Sequence, residues 1–249
     1  MSDYPWLYFL PVVFLAYFCK AISGFGSSII IIALGSLILG PLQALILTAV
    51  LDVVGGMILL RIDPTKDERR LWLPLSVAMF LGVVIGGLLL KLFAFQRLHH
   101  IISATLIAVG IWLLFFRYRK HDAPAAKPLP KTYRVKDLVV CLIAGTGGGL
   151  TGISAPPLLY HFGRVFNKEG VRRILTRVFL VEAVARVGTY SVLGVIDPQI
   201  LMVALVSVPL MFVGLYAGNS VFLRIPEVWF GRIAGVVIII AAVRLSFLS

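Results

Sequence analysis

Long uninterrupted runs of apolar residues dominate this chain, with no sustained alternation of apolar and polar positions. Two of these runs, Leu71–Leu90 and Ile200–Leu223, contain no charged residue. Each is long enough to cross the roughly 30 Å of hydrocarbon in a bilayer as a helix. The strands of a membrane barrel would instead place apolar residues at every second position. The pattern therefore predicts an all-α polytopic membrane protein.

The apolar runs fall into two groups of five. In chain order they are Tyr4–Cys19, Gly26–Leu39, Leu42–Leu60, Leu71–Leu90, Ile101–Phe116, Asp137–Thr151, Ser154–Phe162, Ile174–Ile196, Ile200–Leu223 and Val228–Leu248. Between the groups lies a segment rich in Pro, Lys and Arg, which indicates a solvated linker. We therefore divide the chain into a first membrane repeat at residues 1–116, a basic cytoplasmic linker at 117–136 and a second membrane repeat at 137–249.

A short break rich in small residues occurs near the start of both groups. It reads Gly24-Phe25-Gly26-Ser27-Ser28 in the first group and, 128 residues later, Gly152-Ile153-Ser154-Ala155-Pro156 in the second. Matching breaks in the two halves of a membrane protein are a sequence sign of a transporter's binding site. An internal duplication explains the match.

Glycines four residues apart recur in the fourth run of each group. They are Gly82 and Gly86 in the first group and Gly214 and Gly218 in the second. Such pairs favour close helix packing. The same faces could serve the interface of a homodimer as readily as a contact within one chain.

The basic residues of the connecting segments predict the topology. Residues 61–70 contain four basic and three acidic residues, 117–136 seven and one, and 164–177 five and one. All three lie on the cytoplasmic side only if the second broken pair enters the membrane and returns. Its second arm, Ser154–Phe162, is too short to span. We therefore predict two inverted repeats, each a re-entrant broken-helix pair plus three transmembrane helices, with both termini outside.

The two breaks form the predicted substrate site. The first N–H groups of a helix lack partners within that helix, and its positive dipole end attracts anions. Glycines allow close backbone approach, while serines can offer hydroxyls to a ligand or cap the helix. The predicted substrate-binding residues are Gly24, Phe25, Gly26, Ser27, Ser28, Gly152, Ser154, Ala155 and Arg186.

Four ionisable residues lie inside apolar runs: Lys20, Asp52, Glu182 and Arg186. Such groups are costly in a bilayer and usually face a cavity or a partner. Glu182 and Arg186 are spaced to pair on one helix face. Alternatively, Arg186 attracts an anion while Glu182 or Asp52 takes up a proton. Asp52 has no local partner, although Lys20 could reach it across the bundle. Asp52 and Glu182 are the predicted proton-coupling residues.

Composition excludes several other classes of function. Hydrophobic residues make up 60% of the chain and charged residues only 14%, which a soluble core cannot accommodate. The net charge of +12 resides mainly in connecting loops, so it predicts no nucleic-acid partner. Cys19 and Cys141 lie in apolar runs and indicate neither a disulfide nor a zinc site. We find no catalytic or nucleotide-binding motif, and predict neither an enzyme nor a cofactor or metal site.

At these breaks the chain resembles the TauE/SafE family of sulfite exporters. Each half of that family begins with a pattern close to Gly-Phe/Ile-Gly-Gly-Gly-x-Leu-Leu-Val-Pro, which corresponds here to 24–31 and 152–159. Ser27-Ser28 and Ser154-Ala155 replace the expected glycines, and Tyr160-His161 follows where Val-Pro is commoner. The resemblance implies outward movement of sulfite or a small organosulfonate through the inner membrane of a bacterium.

The leading hypothesis is a proton-coupled secondary transporter of a small sulfur-containing anion in the lipid bilayer. The absence of a nucleotide-binding motif indicates that gradients power it. Two alternatives stay open. One is a cation-coupled or other small-anion transporter that uses Asp52 and Glu182. The other is a non-transporting membrane assembly factor, in which the buried charged residues are purely structural.

Overall fold

A computed structural model of the chain describes residues 6–23, 26–62, 69–94, 97–115, 133–163, 168–221 and 227–247. In these ranges the first half forms helices α1 (Trp6–Ser23), α2 (Ser27–Leu39), α3 (Pro41–Ile62), α4 (Arg69–Leu89) and α5 (Leu98–Phe115). The second half forms α6 (Val135–Thr151), α7 (Ala155–Phe162), α8 (Lys168–Val192), α9 (Pro198–Val221) and α10 (Glu227–Ser246). Each predicted apolar run corresponds to one helix, so the all-α fold class is confirmed. Most of the predicted linker, residues 117–132, lies outside the described residues.

The described residues contain two π-helical turns, one inside α2 and one directly after α4. The first covers Ile31–Gly35, and the second covers Leu90–Ala94. Glycine and proline set the boundary between α2 and α3: Gly40 has a φ of 94°, and Pro41 is the first residue of α3. Proline suits this position because its fixed φ is helical and its missing N–H would have no partner there.

Four of the helices in the described ranges are long and apolar enough to cross a membrane. They are Pro41–Arg61, Arg69–Leu92, Leu98–Phe115 and Pro198–Ser220. The chain is therefore a multi-pass membrane protein. By contrast, α7 has eight residues, which rise only about 12 Å.

The helices of the two halves pack against each other reciprocally. The first helix of each half contacts the fourth helix of the other half, which gives the pairs α1–α9 and α6–α4. The third helices, α3 and α8, contact each other, as do the fifth helices, α5 and α10. The core therefore lies between the halves.

The predicted glycine pairs lie at the two reciprocal contacts. Gly82 and Gly86 of α4 face backbone atoms of α6, and a Cβ at Gly82 would collide with the Leu142 carbonyl oxygen. Gly214 and Gly218 of α9 face the backbone of α1 in the same way. The predicted close helix packing is thus confirmed. These faces are occupied within the chain, so they are not available to a second copy.

The start of α2 and the turn between α6 and α7 lie close together and line one cavity. Gly152, the residue after α6, has a φ of 72°, a conformation that favours glycine. A Cβ at Gly152 would also collide with Ile32 of α2 and lie 3.0 Å from Leu45 of α3. Glycine is therefore needed here both for the turn and for the close approach of the two halves.

Candidate functional site

A buried cavity lies where the two breaks meet. Its volume is about 370 Å³, including its opening to solvent. The lining residues are Lys20, Gly26, Ser27, Ser28, Ile29, Asp52, Ile153, Ser154, Ala155, Phe179, Glu182 and Arg186. The structure thus brings together residues that the sequence analysis selected from both halves.

One predicted site residue in the described part of the chain does not line this cavity. Gly152 lies just behind the lining, where its turn packs against the first half. Gly24 and Phe25 lie outside the described residues.

Asp52 on α3 is the centre of a dense set of hydrogen bonds. Its side chain is only 6% exposed. Oδ1 accepts hydrogen bonds from Tyr17 Oη (3.0 Å), Lys20 Nζ (2.6 Å) and Ser27 Oγ (2.7 Å), and Oδ2 from Ser28 Oγ (2.6 Å) and Arg186 Nη2 (3.1 Å). The predicted partnership of Asp52 with Lys20 across the bundle is confirmed. A carboxylate accepts about four hydrogen bonds in favourable geometry, so Asp52 is fully occupied.

Glu182 on α8 is equally buried but has far fewer partners. Oε2 accepts one hydrogen bond, from Ser154 Oγ at 2.7 Å. Oε1 lies 3.6 Å from Arg186 Nε, and neither of these two atoms has a hydrogen-bond partner in the described residues. The pair predicted from the i,i+4 spacing therefore forms as an ion pair without a hydrogen bond.

Arg186 connects the two carboxylates. Its side chain is 2% exposed, and its Nη2 contacts Asp52 while its Nε faces Glu182. A third group, Nη1, donates to Thr48 Oγ1 at 3.3 Å. One guanidinium on the second half thus joins the acidic groups of both halves, as its planar fork of donors allows.

The serine hydroxyls of the breaks do not cap their helices. Gly26 and Ser154 precede α2 and α7, and neither position shows a side-chain capping bond. Ser27 and Ser28 donate to Asp52, and Ser154 donates to Glu182. Each hydroxyl donates its hydrogen to a buried carboxylate, because hydrogen bonds to ionised acceptors are stronger than bonds to neutral ones.

More backbone N–H groups are available to a ligand at the start of α2 than at the start of α7. Ser27 and Ser28 both carry N–H groups at the start of α2, where helical amides have no intrahelical acceptor. In α7, Ala155 is followed by Pro156 and Pro157, which lack N–H groups. The first half therefore supplies more backbone donors than the second.

Several residues of this site were not predicted from the sequence. Tyr17 and Thr48 bind the charged groups, and Phe179 and the isoleucines at 29 and 153 form the apolar wall. Tyr17 and Phe179 each lie one helical turn before an embedded charged residue, Lys20 and Glu182 respectively. That i,i+3 spacing was the available signal.

A second polar contact lies at the far end of the second broken pair. His161 Nε2 of α7 is 2.6 Å from Asp137 Oδ1 of α6, and both side chains are partly exposed. This pair connects the start of α6 to the end of α7, away from the cavity. Within the described residues, no group of three or more His, Cys, Asp or Glu side chains could hold a metal ion.

The electrostatics of the cavity favour a small polar ligand. Two cations and two carboxylates, all at most 7% exposed, face one space. Buried charges of this kind usually mark ion or substrate pathways in membrane proteins. The arrangement offers Lys and Arg donors and helix-start amides to an anion, and carboxylates to a proton.

Comparison with known proteins agrees with this chemistry. Residues 9–245 match the family described as sulfite exporter TauE/SafE. No curated protein and no solved structure matches the chain. The family match covers nearly all of the chain, including both breaks and every charged residue of the cavity. The chain therefore belongs to the TauE/SafE sulfite exporter family, which is a family of anion transporters of the membrane and not of enzymes.

Proposed function

We propose that this protein is a secondary transporter that moves sulfite or a small organosulfonate out of the cell together with protons. The observation that carries the proposal is the buried cavity at which both breaks, two cations and two carboxylates converge. In this proposal the anion binds to Lys20, Arg186 and the first amides of α2 and α7. Anions commonly bind at such helix starts.

The charge balance of the cavity supplies the coupling. Lys20 and Arg186 are neutralised by Asp52 and Glu182, with which they form ion pairs. An anion added to this neutral set would meet two buried carboxylates and would be repelled. If one carboxylate takes up a proton, the set carries one positive charge and can hold one anion. Anion and proton therefore bind together.

Joint binding of an anion and a proton determines which gradients drive transport and in which direction. A monovalent anion and a proton carry no net charge across the membrane, so the membrane potential does not drive them. Flux then follows the sum of the anion and proton gradients. When the exterior is more acidic than the interior, net export requires the inside-to-outside ratio of anion concentrations to exceed the outside-to-inside ratio of proton concentrations.

The same contacts argue against a cation-coupled mechanism. A sodium or other metal cation would need several free oxygens. Glu182 offers one oxygen without a hydrogen-bond partner in the described residues, Oε1, and that oxygen faces the positive charge of Arg186. Both oxygens of Asp52 already accept donors, two of which are positively charged. A cation placed there would have to displace Lys20 and Arg186.

The proposed topology is an inverted repeat in the inner membrane of a bacterium. Reciprocal packing of α1 with α9 and of α6 with α4 is the pattern that two halves related by a twofold axis produce. The short α7 fits a re-entrant arm. A reporter that is active only in the periplasm, fused after Ser249, should be active. Activity of a cytoplasmic reporter at that position would contradict the proposed topology.

Flux in proteoliposomes tests the function. Purified protein is reconstituted, loaded with sulfite or methanesulfonate, and efflux is followed with and without an imposed pH gradient. We expect efflux that accelerates when the interior is made acidic, because the proton leaves with the anion. Protein-free liposomes and the Ser220→Ala variant, which changes an exposed hydroxyl bound to its own helix, are the controls. No flux of either anion would overturn the proposal.

A further inference from the structure

We infer that Glu182 alone takes up the proton when the anion binds, whereas Asp52 remains ionised throughout and positions the cations. This inference rests on the proposed function, because it assigns the proton of proton-coupled transport to one of two candidate carboxylates. Both side chains line the same cavity, so position alone does not distinguish them. Their hydrogen-bond partners do.

Protonation of Asp52 would disrupt its surroundings. Its two oxygens accept from five side chains, and two of these donors, Lys20 and Arg186, have no acceptor atom to receive a new O–H. A proton on either oxygen would displace at least one donor, deprive Lys20 of its counter-ion and leave Arg186 paired with Glu182 alone. Removing one partner of a buried ion pair is strongly unfavourable.

Protonation of Glu182 disrupts very little. Glu182 lines the cavity with only 2% of its surface exposed, and its buried Oε1 has no hydrogen-bond partner in the described residues. Its single donor, Ser154, can rotate its hydroxyl and accept instead. A buried oxygen without a hydrogen-bond partner costs free energy. A proton on Oε1 would let Glu182 donate a hydrogen bond to an acceptor in the cavity.

The charged groups around Glu182 come from its own helix, from α1 and from α3. Arg186 is the neighbour on α8, while Lys20 and Asp52 belong to α1 and α3. The remaining charged residues of the packed helices α4, α6 and α7 lie near their ends: Arg69, Arg70 and Lys91, then Lys136 and Asp137, then His161. Arg186 thus holds the Glu182 charge at 3.6 Å, and it loses that counter-charge when the proton arrives.

The released guanidinium edge is the site for the anion. Arg186 lines the cavity, but its Nε is buried, has no hydrogen-bond partner in the described residues and faces Glu182 Oε1, so it becomes accessible only when Glu182 moves away. Once Glu182 is neutral, an anion oxygen can accept from Nε, and Ser154 next to it is free to donate. The anion thereby replaces the Glu182 carboxylate as the counter-ion of Arg186, while Asp52 keeps the other side of the guanidinium in place.

Binding of methanesulfonate across pH tests this division. Methanesulfonate keeps one negative charge throughout, whereas sulfite itself takes up a proton near neutral pH. Titrations of the purified, reconstituted protein would run from roughly pH 5 to pH 9. Above the midpoint we expect the wild-type affinity to fall about tenfold for each pH unit, the slope of one proton bound with one anion.

The two carboxylate variants should behave differently. Glu182→Gln should bind methanesulfonate with an affinity that changes less than about twofold over the range, because its amide mimics the protonated acid. Asp52→Asn should bind more weakly at every pH but keep the tenfold slope, because ionised Glu182 still occupies the Arg186 edge assigned to the anion until it takes up a proton. A flat profile for Asp52→Asn together with an unchanged slope for Glu182→Gln would overturn the inference.

Two serine variants provide a matched pair should Asp52→Asn fail to fold. Ser154→Ala removes the one hydrogen bond to Glu182, so its pH midpoint should rise by about one unit because the charged form loses its donor. Ser28→Ala removes one of five donors from Asp52 and should leave the midpoint unchanged. A shift in Ser28→Ala and none in Ser154→Ala would contradict the assignment. Absence of binding in the wild type would instead overturn the proposed function itself.

Discussion

Asp52 and Glu182 lie on the third helix of their respective halves, yet they are bound in opposite ways. Asp52 accepts five hydrogen bonds, while Glu182 accepts one and leaves an oxygen without a partner in the described residues. In both halves the donors include serines at the start of the preceding half-helix, α2 or α7. The serine donors, which occur in both halves, therefore support each carboxylate. The additional donors found at Asp52 hold its charge more tightly than that of Glu182.

One pair of equivalent positions accounts for much of this difference. Lys20 lies three residues before the end of α1, and Gly148 lies three residues before the end of α6, 128 residues later. The lysine forms a 2.6 Å ion pair with Asp52, whereas Gly148 presents no side chain to Glu182. Because a cation lies at one break and a glycine at the other, we expect Asp52 to stay ionised and Glu182 to be the carboxylate that takes up a proton.

The largest effect is expected at Arg186, which both carboxylates share. Arg186→Gln would remove the ion-pair partner of Glu182 and leave Asp52 with Lys20 alone. We expect a loss of about 3–5 kcal/mol in the free energy of unfolding and the loss of transport. Thermal unfolding in detergent and flux in proteoliposomes measure these outcomes, with Arg244→Gln, at an exposed position on α10, as control. Wild-type stability and flux in Arg186→Gln would show that the halves do not depend on this bridge.

A smaller effect on stability is expected at the reciprocal glycine contacts. Gly82→Ala would press a methyl group against the backbone of α6, and Gly214→Ala would place one 2.6 Å from the Phe14 carbonyl oxygen of α1. Each variant should lose about 1–3 kcal/mol, because the helices must separate. If the two contacts are equivalent, the two losses measured by thermal unfolding should be similar. Gly188→Ala is the control, since a Cβ at Gly188 has no atom within 4 Å. A loss in only one of the two variants would mean that the halves are not energetically equivalent.

The smallest effect on stability, with a clear effect on transport, is expected at Gly148. A Cβ there would collide with Glu182 Oε1 and lie 3.1 Å from Ser154 Cβ. Gly148→Ala should move the carboxylate away from Arg186 and lower the flux of methanesulfonate by about tenfold or more. The same control, Gly188→Ala, should keep wild-type flux. Unchanged flux in Gly148→Ala would argue that the position of Glu182 is unimportant.

Hydropathy and charge patterns were sufficient to locate the helices. The run predicted at Ser154–Phe162 is the helix Ala155–Phe162, because a small-residue break fixes its start and Gly163 follows its last residue. The run predicted from Ile174 begins earlier, at Lys168, since the helix continues into polar residues that a hydropathy boundary excludes. Helical backbone bonding does not require apolar side chains.

The site was only partly predictable, for a different reason. The repeated breaks and the embedded charges identified its main residues, and Lys20 was correctly considered as a partner of Asp52. The orientation of the serine hydroxyls could not be read from local sequence. Their acceptors, Asp52 and Glu182, lie 24 to 28 residues away along the chain. Only the folded arrangement decides between a helix cap and a carboxylate.

The most direct test of the joint proton and anion site is the number of protons taken up per anion bound. Calorimetric titration of the reconstituted protein with methanesulfonate, in two buffers that differ in their enthalpy of protonation, measures that number. Above the pH midpoint of binding we expect about one proton per anion for the wild type and almost none for Glu182→Gln. Binding of methanesulfonate by the wild type without any proton uptake would contradict the account.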